Sequence, residues 1–378
     1  MSEFTTRKIT DRAGTGAPNF TYGLNIAGSD SGLIGKAYTS SGTEPSSPAN
    51  GDLWYDSDND KLYYYVNSEF KQITHSNAVT FTWGGSRGIM AGGQNSSTGR
   101  TNTIQYWDMS SASNAADFGD LSAARFQMSG LSNSSRAVFA RGNEYSGGSV
   151  NRNTIEYITT STTGNATDFG DALAASGQNG GNGACDGTTG LFAGDDSSSS
   201  HYNRIQKITV ATTGNASDYG DMTIGSWYAA LTNDATRWVC MTRYNTAPST
   251  GASNVIDYGT IATDGNATDF GDLTVARYAG GAASDTTRAL GAGGSGASNV
   301  IDYVTIQTTG NATDFGDLLS ANQGMTGASN GTNAQFFGGW SDSNVIHSVV
   351  IQTTGNATDH GDLTQTGAEP AGTSGNAS

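Results

Sequence analysis

The stretch Thr162-Thr163-Gly164-Asn165-Ala166-Thr167-Asp168-Phe169-Gly170-Asp171 recurs in near-copy, the copies ending at Asp120, Asp171, Asp221, Asp272, Asp317 and Asp362. Successive endings lie 51, 50, 51, 45 and 45 residues apart. A fixed period of this size marks a repeat architecture, in which each unit is one supersecondary element that cannot bury its apolar face alone. Six units run from about Ala78 to Leu363 and end near 121, 173, 222, 273, 318 and 363. The chain therefore reads as an N-terminal arm (1–50), a hairpin (51–75) and one repeat domain (76–378).

Glycine is abundant (53) and proline scarce (5), with Ser, Thr, Asn and Asp filling much of the rest. That composition suits many short strands joined by tight turns. Disorder is the rival reading of so polar a chain, and the return of Ile, Tyr, Phe and Trp at fixed phase argues against it. The formal charge of −16 repels nucleic-acid phosphate and anionic lipid. Cys185 and Cys240 fall in different units with no paired spacing, which indicates neither a disulfide framework nor a zinc knuckle. The start, Met1 to Arg7, lacks the apolar core of a secretory signal, and no apolar run has the length of a membrane span. The expectation is a soluble protein made in a cytoplasm, with no nucleic-acid partner and no membrane insertion.

Residues 1 to 50 are polar and irregular and read as an arm that orders against a partner. Leu53-Trp54-Tyr55-Asp56 and Lys61 to Val66 flank a short Asp/Asn turn and read as a hairpin. One hairpin is not stable alone in water, so its aromatic face must pack on another surface, by self-association or against the repeat domain.

The fifth unit displays the repeat pattern. Tyr278 to Ala283 is a small-residue strand, Asp285-Thr286-Thr287 a turn, and Arg288 to Ala292 a second strand closed by Gly293-Gly294. Asn299 to Ile306 alternates as a half-buried strand does, Gly310-Asn311 turns, and Ala312 to Leu318 runs back. Each unit is thus about four short antiparallel strands. Stacked radially, such units form a β-propeller, which also hides most sheet edges. The first unit has no Asp-Phe-Gly-Asp segment before it, and the sixth ends with one spare. That spare stretch, Ala357 to Leu363, is expected to pair into the first unit and close the ring.

Met90-Ala91-Gly92-Gly93, Asn102-Thr103-Ile104-Gln105-Tyr106, Phe118-Gly119-Asp120-Leu121 and Ala124-Arg125 together resemble the kelch repeat. The resemblance implies an all-β, six-bladed kelch-like β-propeller after the arm and hairpin. Its departures are Phe or Tyr where kelch has tryptophan, and Arg141-Gly142 and Met241-Thr242 in place of the glycine pair. Ala13 to Phe20 with Gly51 to Asp56, and the Gly-Asn-Ala-Thr-Asp-Phe-Gly-Asp repeats, resemble segments of tail-fibre and other virion structural proteins of tailed bacteriophages, cyanophages in particular. That likeness implies a virion location, with residues 1–75 joining other particle proteins, homo-oligomers, and a propeller displayed for host attachment.

Chemistry is thinly signalled. Asp56, Asp58 and Asp60 alternate as in a calcium loop, but Lys61 stands where its glycine belongs and the glutamate of its twelfth position is missing, so a solvated turn is expected and no metal. The Asn-Ala-Thr/Ser triplets at Asn165, Asn215, Asn266, Asn311 and Asn356 match glycosylation acceptors, yet a turn role explains their recurrence better. Asp117, Asp168, Asp218, Asp269, Asp314 and Asp359 are expected to accept from backbone N–H groups at the corners. Phe118, Phe169, Tyr219, Phe270 and Phe315 share one phase, taken by His360 in the last unit, and are expected to be buried anchors. Copper radical oxidases on kelch-like folds need Tyr, Cys and two converging His; His75, His201, His347 and His360 offer no such set. The expectation is no enzyme and no cofactor. Trp227, Tyr228, Tyr244 and Trp340 are the candidate binding residues, aromatic faces suited to stacking on the sugars of a host-surface glycan. A purely structural capsid or tail decoration protein is the alternative, and a carbohydrate-active enzyme a third reading.

Overall fold

The computed structural model describes residues 38–59, 61–66, 68–72, 83–95, 99–145, 149–176, 181–197, 200–246, 250–296, 298–341 and 343–377. Most of the expected arm, together with Asp60 and His75, lies outside the described residues. Those described are all-β, in several separate sheets with no helix. The chain divides into two compact parts, Met1–Ala78 and Val79–Ser378.

In the first part, Leu53–Asp56 and Lys61–Val66 pair antiparallel, as the turn chemistry predicts. Glu69–Gln72 adds antiparallel on one side and Tyr38–Ser41 adds parallel on the other, so the hairpin is the middle of a four-stranded sheet. Trp54 stacks on Tyr63 with centroids 4.8 Å apart. Asp56 Oδ1 accepts from the N–H groups of Asp58 (3.1 Å) and Asn59 (3.3 Å), and Oδ2 from Asn59 Nδ2 (2.8 Å). Asp56 is committed to its own turn, and Asn59 holds its carboxyl below the usual carboxylate range.

The second part contains six repeat units. In the fifth the strands are Gly281–Ser284, Arg288–Ala292, Val300–Thr305 and Thr313–Asp317, paired antiparallel in chain order. The sixth repeats this with Thr326–Ser329, Asn333–Phe337, Val345–Val350 and Thr358–Asp362. Units two to four lengthen the hairpin between their second and third strands, as in Arg237–Asn245 with Gly251–Thr260, which accounts for periods of 50–51 rather than 45 residues.

The first unit is completed from the far end of the chain. Ala371–Gly375 pairs antiparallel with Arg87–Ala91, Ala371 facing Ala91 and Gly375 facing Arg87. This corrects the expectation for Ala357–Leu363, whose core, Thr358–Asp362, is the fourth strand of its own unit. Each fourth strand finds its partner locally, so the element left for the first unit is the strand that begins a seventh copy.

The repeated Gly-Asn-Ala-Thr-Asp-Phe-Gly-Asp stretch is the joint between units. In the second and third units, Gly214 N–H donates to Phe169 O (2.7 Å), Ala216 N–H to Asp171 O (2.8 Å), and Asn215 Oδ1 accepts from Asp171 N–H (3.0 Å). The same asparagine bond recurs from Asn165, Asn266, Asn311 and Asn356 at 3.0–3.1 Å, and Asn114 makes it to Asp362, joining the sixth unit to the first. The series of joints is closed. Gly170 sits at φ +142, where an L side chain is strained, and a Cβ there would collide with the Gly214 carbonyl; its five counterparts repeat both features. Of the six phase-matched aspartates, expected to accept N–H groups at these corners, Asp359 accepts from Gly361 N–H (3.0 Å); all six are exposed on the fourth strands, and the N–H across the junction goes to asparagine.

Between joints lie six apolar clusters, each shared by neighbouring units. Phe169 with Val138 and Ile155 meets Phe192 and Ile208; Met90 and Trp107 meet Phe337 and Ile346 across the sixth–first junction. Phe118, Phe169, Tyr219, Phe270 and Phe315 are all buried, as expected. Where His360 replaces the aromatic, Gln335 replaces a core aliphatic. Gln335 Nε2 lies 2.9 Å from His360 Nδ1 and Gln335 Oε1 accepts from Trp107 Nε1 (2.6 Å), while His360 Nε2 meets Asp108 O at 2.7 Å.

One buried position per unit carries a polar residue: Gln105, Glu156, Gln206, Asp257, Asp302 and His347. Each accepts the N–H of the second residue after the preceding unit's closing Gly-Asp, for example Leu173 N–H to Gln206 Oε1 (2.8 Å). Where that residue is a carboxylate, a buried arginine neutralises it: Arg125 on Glu156, Arg243 on Asp257, and Arg277 on Asp302 at 2.7 Å. Desolvation lowers the Arg125 guanidinium to about 10. A buried charge without its partner is costly, so arginine and carboxylate must be kept or lost together.

Candidate functional site

The innermost strands, the first of each unit, line one common cavity, and their small residues let the backbones approach closely. A Cβ on Gly130 would meet the backbone of Gly372, and one on Gly327 that of Ala282. The cavity left is about 40 Å³, room for little more than water. Asn182 crosses it, with Nδ2 donating to Gly327 O (2.6 Å) and Gly372 O (3.1 Å) and Oδ1 accepting from Ala282 N–H (3.0 Å) and Gly327 N–H (3.1 Å). Where the innermost strands finish, Ser132 Oγ donates to Trp83 O (2.7 Å). The cavity holds no room for a sugar.

The opposite end, where the innermost strands begin, is different. After five of the six closing Gly-Asp pairs the seventh residue turns into the left-handed region: Gln127 (φ 60), Tyr228 (54), Ala279 (56), Gly324 (73) and Glu369 (53); the sixth, residue 178, lies outside the described residues. A bonded backbone chain links four of them, with Gln127 N–H to Glu369 O, Glu369 N–H to Gly324 O, and Gly324 N–H to Ala279 O, each 2.7 Å. This conformation lifts the seventh side chain across the mouth of the cavity. Tyr228 of the fourth unit thereby reaches Gln127, whose Nε2 donates to its hydroxyl (3.1 Å).

All four sequence candidates gather here. Trp227 stacks on Tyr244 (5.3 Å, 13°), Tyr244 meets Tyr278 edge-on (4.9 Å), and Tyr278 lies 5.6 Å from Tyr228. Trp340 comes from the loop between the second and third strands of the sixth unit and is 41% exposed. Its Nε1 donates to Glu369 Oε1 at 3.1 Å. Trp227, Tyr228 and Tyr244 are half-buried, the first and last packed on each other and Tyr228 held by Tyr278 and Gln127, so Trp340 offers the freest ring.

Sequence reasoning missed Glu369, Gln127 and Tyr278. Glu369 is 3% exposed, and burial pushes its carboxyl up to about 7 against the pull of Gln127, Trp340 and Tyr228. Burial, with Glu369 close by, also raises the Tyr228 phenol above its ordinary range. Cys185 and Cys240 are buried apart, their thiols pushed up to about 12, too high for nucleophiles. Among the described residues no three His, Cys, Asp or Glu side chains are grouped to hold a metal.

No family model matches this chain, and a search of curated proteins finds no relative of it.

Proposed function

We propose that residues 79–378 form a six-bladed kelch-like β-propeller and that the chain is a non-enzymatic adhesion protein of a phage particle. In this reading residues 1–75 join it to neighbouring virion proteins, and the aromatic end of the ring binds a host-surface glycan. The closed series of joints and the six shared clusters support the propeller. The observation that carries the binding role is the convergence of aromatics from the fourth, fifth and sixth units at one end, beside a nearly sealed cavity. Loops on a closed scaffold vary without disturbing the core, which is what a recognition surface needs. The virion assignment rests on the sequence likeness.

The mutual stacking of Trp227 and Tyr244 favours a second reading, a decoration protein in which these rings only pack. A glycan array separates the two. Binding that falls at least tenfold in Trp340→Ala, with an unchanged melting curve, supports adhesion. No glycan bound by the intact chain, with the protein located on the particle by electron cryo-microscopy, supports decoration. Released reducing ends would revive the enzyme.

A further inference from the structure

The ring treats its buried carboxylates consistently, and Glu369 is the exception. Glu156, Asp257 and Asp302 each face a buried arginine. Asp234 and Asp285 accept turn N–H groups and the side-chain amides of Gln307 and Gln352. Among the described residues, Glu369 faces no arginine and accepts no turn N–H. Its Oε1 takes the Trp340 indole N–H, and its Oε2 is buried without a hydrogen-bond partner of sound geometry. Among the described residues, the groups facing the carboxyl are the Trp340 indole, the Gln127 amide and the Tyr228 hydroxyl, with Tyr278 standing beside Tyr228. None of them is a cation.

We propose that Glu369 is the anchor for a positively charged ammonium group on the ligand, held between its carboxylate and the faces of Trp340 and Tyr228. The proposal rests on reading this end as the binding face and names the chemistry of what binds. An ammonium among aromatic faces is stabilised by their quadrupoles, more strongly when desolvated, and a carboxylate supplies the countercharge. The ligand cation would give Glu369 the countercharge that arginine gives Glu156, Asp257 and Asp302. Trp340, exposed and resting on Gly324, is the ring that can swing aside to admit it; a Cβ on Gly324 would collide with the indole.

Such a cation favours the ionised carboxylate. With Glu369 near 7 in the free protein, binding below that pH must expel a proton, and affinity then weakens about tenfold per pH unit. Above it, affinity levels off. Tyr228 titrates above its ordinary range, so it does not contribute to this window.

The test titrates the full chain with choline and with its neutral isostere 3,3-dimethyl-1-butanol, by calorimetry and Trp fluorescence, between pH 5 and 8.5. The expected result is choline at least tenfold tighter than the isostere at pH 8, losing about a hundredfold by pH 5, with the preference abolished in Glu369→Gln. Equal affinities, pH-independent choline binding, no choline binding, or a preference kept in Glu369→Gln would each overturn the inference. The wild-type comparison needs no variant to fold. Neutral glycans run in parallel keep the two ideas apart. Neutral glycan binding without choline preference leaves the adhesion reading standing and the ammonium site refuted; choline preference without glycan binding does the reverse.

Discussion

Replacing His360 by phenylalanine restores the residue type of the five other units, and from sequence alone the change should stabilise the seam. The structure reverses that sign. His360 Nε2 meets Asp108 O at 2.7 Å, so that nitrogen carries the proton, and Nδ1 accepts from Gln335 Nε2 at 2.9 Å. Phenylalanine removes both bonds in a buried junction. Gln335 Nε2 retains only long contacts, 3.4 Å to Met109 O and 3.4 Å to Ser348 Oγ, and Asp108 O keeps Ser113 Oγ at 3.3 Å. Leaving buried polar groups short of partners costs about 1–3 kcal/mol each. Both groups keep those weaker contacts, so each cost falls at the low end, and the larger apolar ring returns on the order of 1 kcal/mol; His360→Phe should lose about 1–2 kcal/mol. Gln335→Leu alone strands the Trp107 indole N–H as well as His360 Nδ1 and should lose a similar amount. Because the two side chains share one bond, the double variant should be less damaged than the sum by at least about 1 kcal/mol. Urea denaturation of the four proteins measures this. A stabilised His360→Phe, or strictly additive losses, would refute the claim that His360 and Gln335 are one polar unit.

Phe169→Ala should cost roughly 3–5 kcal/mol in the same assay, since the ring is 2% exposed and shared by two units. His347 is buried with Nε2 unpartnered, and burial holds it down to about 4. Its neutral form is the folded one, so its contribution is complete above pH 6.5 and is lost as pH falls toward 4, by about 3 kcal/mol. His347→Gln should flatten that slope. Glu369 acts oppositely, being raised, so its contribution is present below pH 4.5 and lost as pH rises to about 7. Glu369→Gln should remove that loss in pH-dependent melts. Residues 79–378 expressed alone should give a cooperatively melting β-protein by circular dichroism; an unfolded fragment would mean the N-terminal sheet belongs to the core.

Much of the architecture is legible in the sequence because each unit's second to fourth strands carry local signals. The Gly-Asn turn, the Ile-x-Tyr alternation and the Phe-Gly-Asp ending lie within one period, and the strands fall where those signals put them. What is not legible is whatever closes over distance. Ala371-Gly372-Thr373-Ser374-Gly375 has no alternation to mark it as a strand, because an innermost strand packed against Gly130 and Thr326 must be small. Its partner, Arg87–Ala91, lies at the other end of the chain. Pairings such as Arg125 with Glu156 are equally hidden, since only the fold brings them together. The binding candidates emerged from loop aromatics. Glu369 carries no aromatic signal, and only its phase, seven residues after Asp362 like Tyr228 after Asp221, could have drawn attention to it.

The proposed ring depends on the pairing of the last strand, Ala371–Gly375, with Arg87–Ala91. Hydrogen exchange followed by mass spectrometry, on the intact chain and on one ending at Pro370, reads this at Arg87–Ala91. In the intact chain these amides should exchange with the slow core, although Arg87–Ala91 opens the domain. Truncation should speed their exchange by orders of magnitude and lower the thermal transition sharply. Unchanged protection and an unchanged melt after removal of Ala371–Gly375 would contradict the closed ring.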